Sequence, residues 1–267
     1  MVLALSMLIA AAAWGCGGGE ITGQELIDGV IASADEQETV RYEMSMVYEM
    51  TGTVEGEYGE IDVSVDIDRL VDMVDEEMQL DMTTTMSIRA DTQTEETSAI
   101  KEYILGDMAY VGIVSPVAPT EWVKGDVPED FWELENYVSQ QVELLRGAEV
   151  EILGTEKVKG ISCYVAEISP DMDKILEFMS AQLEQTLPMM ELTEDSLSNY
   201  SLKGWYAKGT FFPMSTLQEF DFTFEVGEDE LVAHYVIDIS MYDYNEPVSI
   251  ELPPEAEEAE YVGPIEM

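Results

Sequence analysis

Three successive segments between Tyr42 and Ile88 alternate apolar and polar residues with almost no exceptions. The apolar residues of the first segment are Tyr42, Met44, Met46, Tyr48 and Met50. Those of the second are Ile61, Val63, Val65 and Ile67, and those of the third are Met78, Leu80, Met82, Met86 and Ile88. Because successive side chains leave opposite faces of a strand, a period of two predicts three strands with one apolar and one acidic face.

The apolar face is unusually rich in methionine, whose flexible thioether suits irregular or changeable partners. The first and third segments therefore supply candidate residues for binding an apolar ligand. These are Tyr42, Met44, Met46, Tyr48, Met50, Met78, Leu80, Met82, Met86 and Ile88. The alternative is that the same side chains fill the core of a sheet packed against helices, and the sequence leaves both interpretations open.

Charge restricts the partners and the environment of the chain. It has 57 Asp and Glu against 11 Lys and Arg, a formal net charge of −46 that is spread along its whole length. Such a field repels nucleic acid, which is excluded as a partner. Self-repulsion of this size is tolerable where salt screens it, so the composition predicts a halophilic, archaeal source. With 46% hydrophobic residues the chain can still bury a full core, and its length suits one large domain.

The N-terminal residues have the pattern of an export signal. Residues 1–15 contain a short apolar run, too short to span a bilayer as a permanent helix, and read as a signal peptide. Cys16 follows Ala13, Trp14 and Gly15 and begins a glycine tether at 16–20, which resembles a lipobox with Cys16 as the lipidated residue. We therefore expect an exported protein anchored to the outer face of the cytoplasmic membrane. An uncleaved anchor or simple secretion is the alternative.

The elements that follow alternate between helices and hairpins. Thr22 and Glu25 have capping-box spacing and predict a helix that ends near Gln37 and lies on the apolar face of the sheet. Further helices are predicted after Asp126 and after Pro170, and strand pairs at 99–114, 150–168 and 202–242. The segment 186–197, with Leu187, Met189, Met190 and Leu192, is a candidate lid or a plain connector.

The order of these helices and strands, and the sequences of three stretches within it, resemble the LolA/LppX-like lipoproteins of the LppX/LprAFG type, which include archaeal members of unassigned role. The three stretches run from Glu151 to Val165, from Gly204 to Met214 and from Asp243 to Pro253. The resemblance implies an α+β fold in which a strongly curved antiparallel sheet of about ten to eleven strands forms an incomplete barrel. It also implies that helices cover the concave face and that acyl chains bind between helices and sheet. One such domain would span 21–252, with an acidic tail at 253–267.

Signals for catalysis are sparse. Alternation puts the single histidine, His234, on the face opposite Tyr235, where water would reach it. Cys163 could pair with it as nucleophile and base, but an inert buried thiol is the expected reading. The series Asp62, Asp66, Asp68 and Asp72 lacks the glycine of a calcium loop and lies on a strand, so cations would only screen it. We assign no catalytic residue, cofactor or metal ligand.

The sequence therefore predicts a monomeric, non-enzymatic lipoprotein that binds a lipid or another apolar small molecule, for example an acyl or isoprenoid chain. It would act as a lipid or lipoprotein carrier. The alternative is an envelope module for adhesion or sensing whose cavity is filled by its own side chains. Asn199 begins an Asn-Tyr-Ser sequon, a weak signal that predicts glycosylation in an exported chain.

Overall fold

A computed structural model of the 267-residue chain describes residues 21–34, 36–54, 57–89, 93–115, 117–128, 131–134, 142, 144–176, 196–226 and 229–265. Its strands are β1 (Thr39–Val54), β2 (Glu57–Asp72), β3 (Glu77–Arg89), β4 (Gln93–Leu105), β5 (Met108–Val114), β6 (Glu121–Asp126), β7 (Glu149–Val158), β8 (Ile161–Ser169), β9 (Leu197–Ala207), β10 (Pro213–Val226), β11 (Asp229–Tyr242) and β12 (Glu260–Tyr261). Its helices are α1 (Gly23–Ala34), α2 (Phe131–Leu134) and α3 (Pro254–Glu257).

All twelve strands belong to one sheet in the order β12-β6-β5-β4-β3-β2-β1-β11-β10-β9-β8-β7. Neighbours are antiparallel except β12, which pairs with β6 in parallel. The sheet does not close into a barrel, because β12 and β7 are its two edges. The predicted antiparallel sheet is confirmed, but it has twelve strands where about ten to eleven were predicted, and the described residues are mostly β with few helices where an α+β fold was predicted.

The register fixes which side chains share a face. Met46 lies opposite Val65 on β2 and opposite Ile237 on β11, and the row continues through Gln218 to Leu202 and Ile168. We call the face that carries Met46 and this row the inner face, and the face that carries Glu43, Val47 and Asp66 the outer face.

Helix α1 forms where the capping box predicts it. The Thr22 backbone N–H donates to Glu25 Oε2 at 2.8 Å, and the Glu25 N–H donates to Thr22 Oγ1 at 3.2 Å, which satisfies two N–H groups that the helix leaves unpaired. The hydrogen bonds that the Thr22 backbone N–H and the Thr22 hydroxyl donate to the Glu25 carboxylate lower the pKa of Glu25. The helix ends at Ala34, three residues before the predicted end.

The buried stripe of α1 lies on the inner face at the β7 side of the sheet, as predicted. Leu26, Ile27 and Val30 pack in one cluster with residues of β8 and β9, namely Ala166, Ile168, Leu202 and Tyr206. Contact is close at Gly29, where a Cβ atom would come within 2.6 Å of the Phe211 ring. A larger residue at this position would have to displace either the Phe211 ring or the helix.

A short helix covers the inner face near the start of β1. Phe131 of α2 is buried against Val40, Met78 and Ile104, which come from three different strands. The continuation of the predicted second helix falls largely outside the described residues, and so does most of the third, of which 172–176 is helical. Ile175 of that turn packs on Phe220 and Phe222 of β10. The predicted lid residues Leu187, Met189, Met190 and Leu192 also lie outside the described residues.

Residues 253–265, which the sequence suggests are an acidic tail, are bound to the sheet. Val262 N–H donates to the Lys124 carbonyl at 2.9 Å, and Ile265 N–H donates to the Asp126 carbonyl at 3.0 Å, so the segment covers the β6 edge. Ala256 and Ala259 are buried there. A Cβ atom on Gly125 would lie 1.9 Å from the Gly263 carbonyl oxygen, so the approach requires glycine.

Candidate functional site

All ten residues that the sequence predicts as ligand contacts lie on the inner face. Along β1 and β3 they are joined through β2 in direct cross-strand rows. One row runs from Met82 through Ile67 to Met44, and another from Met86 through Val63 to Tyr48. A third row joins Ile88, Ile61 and Met50. The convergence of the two methionine-bearing strands onto one face is therefore confirmed.

The end of this face near the start of β1 is filled by protein. Tyr42 is 6% exposed and Met78 is 1% exposed, and both belong to a buried cluster that includes residues of six strands and α2. Its other members are Val40, Val71, Ile104, Ala109, Phe131, Ile239 and Met241, with Met44 packed against it. A ligand would reach Tyr42 or Met78 only if this cluster opened, so these two candidates act as core.

The opposite end of the same face is less covered. We call it the distal site, formed by the half-buried side chains of Met46, Tyr48, Met50, Met82, Met86 and Ile88. None of these six belongs to the four buried clusters that the described residues form. Between them on β2, Val63 and Val65 are buried, and beside them residues 94–98 of β4 are exposed. This end therefore combines an apolar surface with access from the solvent at β4, while Leu80 lies between the distal site and the core.

An aromatic stack crosses the inner face beside the distal site. The Tyr48 and Tyr235 ring centroids are 5.0 Å apart, and the Tyr235 and Phe220 centroids are 4.9 Å apart with the ring planes inclined by 9°. Tyr200 extends the stack, 6.2 Å from Phe220. Burial raises the pKa of Tyr48, and burial together with the neighbouring Tyr48 raises the pKa of Tyr235 to about 12. Both phenols are therefore neutral at physiological pH.

Some inner-face residues were missed by reasoning from β1 and β3 alone. Tyr235, Ile237 and Phe220 share the face because β10 and β11 pair with β1, and the alternation of those strands contains the signal. Arg69 is a less expected member, since it follows Ile67 in the same alternation but is charged. Its guanidinium lies 5.7 Å from the centre of the Tyr42 ring, and its Nε is 2.9 Å from the Met78 sulfur. The core end of the inner face therefore contains the positively charged side chain of Arg69.

The two candidates for nucleophilic catalysis lie far apart. Cys163 pairs with Ala207 at one end of β9, while His234 lies in the row of Asp221 and Ser198 at the other end. Nine residues of strand separate these rows, roughly 30 Å at about 3.3 Å per residue. Cys163 is buried, and burial raises the pKa of its thiol. The expected burial of Cys163 is confirmed, and this separation excludes a Cys163–His234 pair.

His234 is exposed on the outer face, as predicted. Its Nδ1 lies 2.7 Å from Asp221 Oδ1, and the other oxygen of Asp221 accepts a hydrogen bond of 2.6 Å from the Asn199 side-chain amide. These two hydrogen bonds, that from Asn199 first, lower the pKa of Asp221. Asn199 is exposed, but the nitrogen to which a glycan would attach is engaged by Asp221. Glycosylation of Asn199 stays a prediction.

The outer face is acidic, and a few lysine and arginine side chains partly neutralise its charge. Lys101 Nζ lies 2.5 Å from Asp81, Lys159 Nζ lies 3.1 Å from Glu43, and Arg89 lies 2.7 Å from Asp62. A shallow groove of about 530 Å³ follows the outer face between Glu43, Asp66, Asp68, Asp81 and Asp238. Across the described part of the chain no three of its His, Cys, Asp and Glu side chains are placed to hold a metal ion.

Cys16, the predicted lipidation site, lies outside the described residues, and lipidation stays a prediction. Among the helices that the structure describes, none has both the length and the apolar character needed to cross a bilayer.

The chain therefore belongs to the class of proteins built on one open antiparallel sheet, here with one apolar and one acidic face. No protein-family model matches the chain, and no curated protein is detectably similar to it. Among solved structures, the Mycobacterium tuberculosis lipoprotein LppX matches this chain at 16% identity and a TM-score of 0.39. The match covers 86% of this chain and 98% of the LppX chain. LprF from Mycobacterium bovis covers 86% with 96% of its own, at 10% identity and a TM-score of 0.45.

A third solved structure that matches is a candidate outer membrane lipoprotein-sorting protein domain from Vibrio parahaemolyticus. It covers 85% of this chain with 95% of its own, at 10% identity and a TM-score of 0.25. At these identities and scores no residue role passes from these proteins to this chain, and a function has to be argued from its own side chains.

Proposed function

We propose that this chain binds the hydrocarbon part of a lipid at the distal site and acts as a lipid or lipoprotein carrier, without catalysis. The observation that carries the proposal is the division of one largely apolar face into two ends. Its core end is closed by Phe131 and Met241, whereas its distal end keeps four methionines half-buried. A face intended only for packing would be buried along its whole length.

The side chains at the distal site suit a hydrocarbon chain. Methionines are flexible and polarizable, so Met46, Met50, Met82 and Met86 can adapt to chains of different shape. Burying about eight methylene groups at ~0.8 kcal/mol each supplies roughly 6 kcal/mol toward binding, before the entropic cost of association. Micromolar affinity needs a net of about 8 kcal/mol, so carriage at that affinity requires burying more of the hydrocarbon chain, whereas eight methylene groups alone give weak binding with ready release at a membrane.

We further propose that the protein is exported and anchored through a lipid on Cys16, as a monomer. The anchor would hold the distal site near the membrane from which a lipid is taken. Replacing Cys16 with serine should move the protein from the membrane fraction to the soluble fraction. Unchanged membrane partition would refute the anchor and leave lipid binding untouched.

The binding proposal is tested with two neighbouring positions on β1 that point to opposite faces. Met46 is on the inner face, whereas Val47 is on the outer face and 41% exposed. We expect Met46→Glu to abolish uptake of a fluorescent fatty acid, because it places a carboxylate among apolar side chains. Val47→Glu adds the same charge and should leave uptake unchanged.

If Met46→Glu fails to fold, Met46→Trp and Val47→Trp replace the pair, since a large ring on the inner face would occupy the site. Circular dichroism checks that each variant keeps its sheet. Native mass spectrometry of gently purified wild-type protein should show a bound lipid. A protein that carries no lipid and takes up no fatty acid would support the alternative, an adhesion or sensing module whose core is filled by its own side chains.

A further inference from the structure

We propose that the hydroxyl groups of Tyr48 and Tyr235 form a polar anchor that donates hydrogen bonds to an oxygen atom of the ligand. The distal site would then select a lipid with an acceptor oxygen, such as an ester carbonyl, over a plain hydrocarbon. This inference rests on the proposed function and specifies which part of the lipid is recognised.

The two tyrosines are adjacent and lie among the apolar residues of the site. They face each other across the β1–β11 pair, with Val63 and Met86 continuing the same row on the other side. Met46 and Met50 flank Tyr48 along β1 on the same face. Any hydrocarbon chain lying on these methionines therefore passes the two phenols.

Both hydroxyls are available as donors. Their raised pKa values keep them protonated at neutral pH. Within the described ranges neither hydroxyl has a hydrogen-bonding partner, whereas other tyrosines of the sheet are engaged. The Tyr200 hydroxyl accepts a hydrogen bond of 3.0 Å from Gln218 Nε2, and the Tyr242 hydroxyl donates to Glu43 at 2.7 Å. A hydroxyl that is half-buried among methionines lacks a hydrogen-bond acceptor, so a bound ligand that brings an acceptor oxygen gains binding free energy there.

The rings are also held in place before a ligand arrives. Tyr235 lies between Tyr48 and Phe220, with both neighbouring ring centroids about 5 Å away. Stacked aromatic rings lose little conformational freedom on binding, so less of the hydrogen-bond energy is spent on ordering. If the tyrosines served packing alone, phenylalanine would supply the same rings at both positions without the two unpaired hydroxyls.

Two fluorescent probes of equal length test the anchor. One is the methyl ester of a pyrene-labelled fatty acid, and the other is the corresponding pyrene-labelled alkane, which has no oxygen. Tyr48→Phe and Tyr235→Phe keep the rings and remove one hydroxyl each. We expect each variant to weaken ester binding by about three- to tenfold and to leave alkane binding within about twofold of wild type.

Tyr242→Phe is the matched control, because it removes a hydroxyl from the outer face of the same strand β11 and should change neither affinity. Equal loss for both probes, or no loss for the ester, would overturn the anchor while leaving lipid binding at the site intact. If wild-type protein binds neither probe, the proposed function fails and the anchor fails with it. Unchanged near-ultraviolet circular dichroism would confirm that the stack survives each substitution.

Discussion

Met78 and Met86 lie on the same face of the same strand, yet the structure gives them different roles. Met78 is 1% exposed and packed among Val71, Ile104 and Met241, so Met78→Ala leaves a cavity in the core. Such a change costs about 2–5 kcal/mol of unfolding free energy, because transfer energy is lost and the cavity does not collapse fully. For a chain of this size that corresponds to a fall in Tm of roughly 5–15 °C.

Met86→Ala is the matched variant, about 27 Å further along β3. Its side chain is half-buried and lies outside the described core clusters, so we expect its loss to cost less than about 1 kcal/mol. It should instead weaken lipid binding, because a contact surface for the guest is removed. Met78→Ala should leave the affinity of the folded protein nearly unchanged.

Both variants are measured by urea unfolding in high salt without ligand, and by titration with the fluorescent fatty acid. The reasoning predicts a crossed result, in which one variant loses stability and the other loses affinity. Equal losses of stability with no change in affinity would show that the whole inner face is ordinary core, and the division into two ends would be wrong.

Three further predictions follow from charge and from the edge of the sheet. The unfolding midpoint should rise steadily from about 0.1 M to 1 M KCl, as the screening length falls from about 10 Å to about 3 Å; a flat curve would show that self-repulsion of the −46 charge does not limit stability. The hydrogen bond from the Tyr242 hydroxyl, and after it that from Lys159, lowers the pKa of Glu43 below its usual value of 4.5. The stabilisation of the folded state by these bonds is therefore present above pH 4.5 and is lost as pH falls through the lowered pKa. The difference in stability between wild type and Tyr242→Phe should vanish in acid, and a difference independent of pH would contradict this. Ending the chain before Pro254 should uncover the β6 edge and produce concentration-dependent oligomers in size-exclusion chromatography, whereas an unchanged monomer would show that the edge needs no cover.

Alternation along the chain was sufficient to predict the faces of the central strands. Because the side-chain period of a strand is two, Met46 and Val47 could be placed on opposite faces without knowing their partners. The turn between β7 and β8 was only partly readable, since Lys159 and Gly160 both have positive φ, which glycine accepts easily and lysine does not.

Long-range pairing explains what the sequence did not show. The first half of β4 is polar on both faces and exposed from Thr94 to Ser98, and it is a strand because its backbone pairs with β3. The two residues of β12 have no alternation to detect, and they reach the sheet only through pairing with β6, more than 130 positions earlier. Local patterns cannot reveal elements that exist through such partners.

The division of the inner face into core and distal site was likewise beyond local reasoning. Met78 and Met86 have the same residue type, strand and parity, and they differ only in what covers them. The cover of Met78 comes from Phe131 and Met241, which are distant in sequence. Sequence analysis therefore found the right face and gave all ten residues the same role.

The most direct test of lipid binding at the distal site is to locate the contact with a photoactivatable fatty acid. A diazirine-bearing chain is bound to the wild-type protein, irradiated, and mapped by peptide mass spectrometry. The account predicts labels at Met46, Met50, Met82 and Met86, on the inner face of β1 and β3. Labels concentrated on outer-face residues such as Val47 and Thr83, or no specific labelling at all, would contradict it.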